Sequence, residues 1–124
     1  MADEQQKEMF KTIFVYGEHA VRSVLIINGG AAVALLAFIG NILARGVSKS
    51  LASDYSLPLA YYAFGVLVGS LAMGGSYITQ YSYVHFGQKW GVVWHWVTAT
   101  LVVFAYVCFG AATFLCYDAI KNTA

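Results

Sequence analysis

Three long stretches without a formal charge constrain this chain more than any other feature. Between Arg22 and Arg45 lie 22 uncharged residues, Ser23 to Ala44. Between Asp54 and Lys89 lie 34 more, and between Lys89 and Asp118 a further 28. At 1.5 Å per residue, a helix over the first stretch is about 33 Å long. That is enough to cross a hydrocarbon core of about 30 Å. The second stretch is too long for one span and too short for two. Its expected core is Leu57 to Gln80, with Tyr81 to Gln88 as an interfacial turn. The third core is expected over Val92 to Tyr117.

Composition points to the same solvent. Of the 124 residues, 60% are apolar and 10% are charged, against about 25% charged in a soluble domain. A small soluble protein has much surface relative to its volume and needs polar residues to cover it. The expectation is one all-α integral membrane domain over residues 1–124. It has three transmembrane helices, about 23–44, 57–80 and 92–117, preceded by an N-terminal amphipathic helix at about 5–22.

Helix-end signals support this division. Gly46 follows Arg45 and suits a helix C-terminus. Ser56 and the single proline, Pro58, suit the start of the second span. The connection between them, Gly46 to Ser56, is small and polar. In the N-terminal segment Met9, Phe10, Ile13, Phe14, Gly17, Ala20 and Val21 recur on one side at helical spacing. Glu18 and Arg22 form a favourable i,i+4 pair. No breaker separates this segment from the first span, so it either lies along the membrane surface or runs straight on.

Aromatic residues cluster around the second connection. Tyr81, Trp90, Trp94 and Trp96 read as interface anchors, because amphipathic rings favour headgroup depth. The alternative for this cluster is a surface for a lipid or quinone headgroup.

Small residues recur along each span, as close helix packing in lipid requires. The first seam is Ser23, Gly30, Ala34, Ala37 and Asn41. The second is Gly65, Gly69, Ala72, Ser76 and Thr79, and the third Gly91, His95, Thr98, Ala105, Ala112 and Cys116. Such seams pack either within a subunit or between subunits. Gly30, Ala34, Gly65, Gly69 and Ser76 are the expected packing positions. Asn28, Asn41, Thr79, His95 and Thr98 are the expected polar contacts or pore-lining groups.

Several function classes are excluded by what is missing. No Asp, Glu, Lys or Arg falls inside a span, whereas ion-coupled carriers place such groups on the transport path. Three spans also cannot form the inverted repeats common in carriers. Ser70, Ser76 and His95 form no catalytic constellation, so no enzyme activity is expected. No zinc spacing is present, and the histidines His19, His85 and His95 show no haem-ligating pairing. Cys108 and Cys116 are eight residues apart on one helix and do not share a face, which argues against a disulfide. Net charge is +1 with no basic run, so nucleic acid is not an expected partner.

The functional expectation is a small polytopic membrane protein whose partners are the bilayer and other membrane-embedded chains. It self-assembles into a homo-oligomer and acts as a pore, channel or membrane-permeabilising effector. In size and span number it resembles phage holins and the small membrane effectors of bacterial defence systems. The alternative is an accessory or anchor subunit of a larger membrane complex. In this it resembles the three-helix anchors of respiratory dehydrogenases. Neither resemblance covers a diagnostic motif or assigns a residue role. No cofactor or metal is expected. The expected location is the inner or plasma membrane, with the N-terminus in the cytoplasm.

Overall fold

The computed structural model describes residues 2–46 and 49–123. Val47 and Ser48, part of the expected polar connection, lie outside the described residues. The fold is all-α. Helix α1 covers Ala2–Ala44, α2 Lys49–Asp54, α3 Ser56–His85 and α4 Gln88–Thr123. Three of the helical segments are long and apolar enough to cross a membrane.

The N-terminal segment is not a separate helix. It is the first half of α1, a 43-residue rod about 65 Å long. The physical reason is local. No proline or left-handed glycine interrupts residues 5–22. The Arg22 guanidinium donates to Glu18 Oε1 at 3.4 Å, one turn back, just before the expected boundary. The Thr12 hydroxyl donates to the Glu8 carbonyl at 2.9 Å. At the other end α1 stops at Gly46, whose φ of 69° few side chains tolerate. Its N–H donates to the Leu43 carbonyl at 3.1 Å.

The first connection is also more ordered than its composition suggests. Residues 49–54 form the short helix α2. Leu51 packs against a cluster that includes buried Tyr55, Tyr62, Leu35 and Ala112. The Tyr55 ring meets Phe38 edge-on at 5.2 Å. Ser56 does not cap α3. It is the first helical residue, and its hydroxyl turns back to the Ser53 carbonyl at 2.7 Å.

Helix α3 runs five residues past the expected core and takes up most of the expected interfacial turn, 81–88. Three contacts extend it. The Tyr81 and His85 rings stack at 4.1 Å. The His85 Nδ1 lies 3.1 Å from the Tyr81 carbonyl. The Phe86 N–H donates to the Ser82 carbonyl at 2.9 Å. Reversal is left to Gly87, with φ 91°. Gly87→Ala should therefore lower stability by about 1–2 kcal/mol, the cost of a side chain in left-handed backbone. Thermal unfolding in detergent micelles checks this. The φ, not crowding, is the cause, because a Cβ there meets nothing within 4 Å.

The three long helices form an up-down-up bundle. Asn28 opposes Gly65 while Val24 and Leu25 oppose Gly69, so α1 and α3 are antiparallel. Gly75 opposes Thr98 and Tyr83 opposes Gly91, so α3 and α4 are antiparallel as well. The N-terminus of α1 and the α3–α4 turn therefore lie at one end. The core is thin: Val24, Val68 and Ala105 pack at mid-height, with Ile27 and Leu101 against them. Large apolar side chains instead cover the outside, among them Val33, Leu36, Phe64, Leu67, Leu71 and Phe114.

Candidate functional site

The small-residue seams do not share a fate. The α3 seam faces inward: Gly65, Gly69, Ala72 and Thr79 are buried and Ser76 is half-buried. So does most of the α4 seam: Gly91, Thr98, Ala105 and Ala112 are buried, Cys116 is half-buried, and His95 is exposed. The α1 seam faces the other way. Ser23, Gly30, Ala34, Ala37 and Asn41 are all exposed. The face α1 gives the bundle consists of Val21, Val24, Asn28, Leu35 and Ile42.

Asn28 is the polar centre of that inner face, with 0% exposure. Its amide donates to the Val24 carbonyl at 2.9 Å and to the Ala105 carbonyl on α4 at 3.4 Å. Its Oδ1 has no hydrogen-bond partner. That oxygen occupies the space a Cβ at Gly65 would take. The glycine is what lets α1 and α3 approach closely enough to shelter the amide. A Cα–H···O contact of the kind common at helix interfaces fits this placement.

Two other polar contacts tie α3 to α4. Tyr62 Oη and Thr113 Oγ1 lie 2.9 Å apart. Thr79 Oγ1 and Thr98 Oγ1 lie 3.5 Å apart, and each hydroxyl already donates to its own helix, to Gly75 and Trp94 respectively. Tyr62→Phe removes one partly buried interhelical bond and leaves the ring packed on Phe109 at 5.6 Å. It should cost about 1 kcal/mol, read from chemical or thermal unfolding in micelles.

Where α1 passes Val21 toward its N-terminus it leaves the α3–α4 hairpin. Residues 3–19 are all exposed. The divergence opens a crevice of about 530 Å³ between α1, α3 and α4. Ile13, Phe14, Gly17 and Glu18 line it from α1. Met73, Ser76, Tyr77, Thr79 and Gln80 line it from α3, and His95, Thr98, Val102 and Val103 from α4. Four of the residues singled out from sequence, Ser76, Thr79, His95 and Thr98, therefore come together. Asn28 and Asn41 do not join them. Nor do His19 and His85, and among the described residues no three metal-binding side chains cluster.

Sequence reasoning missed Glu18, Gln80 and Tyr77 as neighbours of His95. The signal for them was partial: Glu18 and His95 each sit at a polar step beside an apolar stretch, but only the splay of α1 puts them around one space. The interface aromatics are placed separately. Tyr81, Trp90 and Trp96 are exposed and Trp94 is half-buried, near the same end of the bundle.

The Ser70 and Ser76 hydroxyls donate to the Val66 and Ala72 carbonyls of their own helix, at 2.9 and 3.0 Å. Neither is paired with a base. Both cysteines are free, Cys108 buried and Cys116 half-buried.

No known protein family, curated protein or solved structure matches the chain.

Proposed function

We propose that this chain is a non-catalytic integral membrane protein of three spans that self-assembles side by side through the outer face of α1. The observation that carries the reading is the outward placement of Ser23, Gly30, Ala34, Ala37 and Asn41. The equivalent small residues of α3 and α4 are spent inside the subunit. Those of α1 form an exposed small-residue stripe flanked by the larger exposed Ile26, Val33 and Phe38. A Cβ at Gly30 meets nothing within 4 Å. In lipid, helices associate where small residues permit close backbone approach. The large apolar side chains on the rest of the outside suit contact with acyl chains.

A pore is the activity this assembly supports. Asn28, Thr79 and Thr98 are buried and hydrogen-bonded within one subunit, so the lining belongs to α1 instead. Ser23 and Asn41 are 18 residues apart, about 27 Å along the helix. Copies packed through Gly30, Ala34 and Ala37 would bring Ser23 and Asn41 of neighbouring chains to the two ends of that contact, at the margin of a narrow apolar constriction of the form that gates by dewetting. The end carrying Lys7, Lys11, Arg22 and Lys89 is placed in the cytoplasm, and Arg45, Lys49 and Lys121 at the other side.

Disulfide cross-linking of membranes tests the contact. In a background with Cys108→Ala and Cys116→Ala, Ala34→Cys should yield a cross-linked dimer of the chain under mild oxidant. Leu71→Cys, on the outer face of α3, should not. Cross-linking of Ala34→Cys to a different protein would favour the accessory-subunit alternative.

A further inference from the structure

We propose that the crevice between α1 and the α3–α4 hairpin binds an uncharged amphiphile, with its hydrogen-bonding headgroup at Glu18, Gln80 and His95 and its tail along Val21, Val102 and Val103. The cavity, about 530 Å³, falls in the range of small-molecule sites, roughly 300–1,000 Å³. Its lining is graded along the bundle. Gln80 lies seven residues closer to the α3–α4 turn than Met73, about 10 Å, and His95 eight residues closer than Val103, about 12 Å. On α3 and α4 the polar groups therefore lie toward the turn end and the apolar groups toward the middle, while Ile13 and Phe14 of α1 give the turn end an apolar wall.

The polar groups define the headgroup. Among the described residues, none hydrogen-bonds to the side chains of Tyr77, Gln80 or His95, so their donors are available. The Ser76, Thr79 and Thr98 hydroxyls have given their protons to their own helices and present only acceptor lone pairs. The lining has no Lys or Arg, and its one formal charge is the Glu18 carboxylate. That carboxylate is the partner of Arg22, which does not line the crevice. A phosphate or carboxylate headgroup would meet no cation on the crevice wall, where the one charged group is a carboxylate already engaged with Arg22. A neutral headgroup bearing both hydroxyl donors and acceptors, such as glycerol on a single acyl chain, matches every group present.

Access is built in. Gly17 lies on the crevice wall, and a Cβ there meets nothing within 4 Å. A side chain can therefore start from this position without a clash at its Cβ, and a large one extends into the crevice. The crevice is on the side of α1 turned toward the hairpin, away from the small-residue face, so it stands independently of the assembly reading.

The test uses the full chain in phosphatidylcholine nanodiscs, with thermal unfolding followed as 1-oleoylglycerol is added. A ligand of the folded state raises Tm in a saturable way. The expected result is a saturable rise in the unmodified protein, abolished by Gly17→Phe and retained by Gly40→Phe, a substitution into open space farther along α1. His95→Ala and Gln80→Ala change exposed residues and test the headgroup without touching the core. Each should weaken the apparent affinity about tenfold, the worth of one well-made hydrogen bond. The proposal is overturned if the unmodified protein shows no saturable rise, or if Gly17→Phe responds as the unmodified protein does. An anionic phosphatidylglycerol that stabilises as well as 1-oleoylglycerol would also overturn it.

Discussion

Gly65→Ala should destabilise the bundle by about 3 kcal/mol, the upper range for overpacking a closed site. A Cβ at Gly65 overlaps the side-chain amide of Asn28, and that amide is fully buried and held by two carbonyls. The methyl group must either push α1 away from α3 or tear Asn28 from Ala105. The first opens the bundle beside the Val24, Val68 and Ala105 cluster, and the second leaves a buried amide without its interhelical bond. The readout is the unfolding transition in micelles, with the Asn28 partner as control. Asn28→Ala alone loses one interhelical bond, a modest cost of about 1–2 kcal/mol in membrane proteins. In the double variant the alanine at 28 leaves room for the new methyl. The two changes should then be non-additive by at least about 1 kcal/mol, the mark of residues that touch. Additive costs would mean that the two helices do not meet at this pair.

Gly30→Ile should do the opposite, leaving the subunit intact and separating the copies. Gly30 faces outward with nothing near it, so a branched side chain meets no clash within one chain. Replacing a helical glycine also removes a propensity penalty of about 1 kcal/mol. Between copies the same side chain blocks the close backbone approach that small residues permit. Association should weaken about 30-fold or more, equivalent to about 2 kcal/mol, the scale of a central interface position. Ala34→Ile should behave alike. The expected pair of results is an unchanged or higher unfolding temperature together with loss of the cross-linked and oligomeric species. A Gly30→Ile variant that unfolds early would mean that this face is already packed inside the subunit.

The contrast between these two glycines shows how far the sequence could be read. The three charge-free stretches announced three long helices, and Gly46 marked the end of the first. The small-residue stripes were equally visible. Which stripe turns inward was not, and the reason is physical. In water a helix shows its inner face by hydropathy, because the outer face is polar. Here both faces of α1 are apolar, and close packing distinguishes them only through the shape of the partner helix. Asn28 was legible as a polar group needing partners. That its partner surface would be Gly65 and Ala105 required the register between helices. Helix ends were less legible for a related reason: charges bound a span but do not end a helix, so α1 runs on through Glu18 and Arg22, one of the two courses the sequence left open, and α3 through Tyr81 to His85. The crevice was the least legible feature. Ser76, Thr79, His95 and Thr98 carried the signal of polar residues in an apolar setting, while Glu18 read as the polar side of the N-terminal helix and Gln80 only as the end of the second span. Only the angle at which α1 leaves the hairpin near Val21 gathers them.

The mass of the protein purified alone in nanodiscs tests the central claim, that the outer face of α1 joins copies of this chain. Self-assembly predicts a single discrete multiple of one chain, reduced to one chain per disc by Gly30→Ile. One chain per disc for the unmodified protein, or recovery only with a co-purified partner, would contradict it.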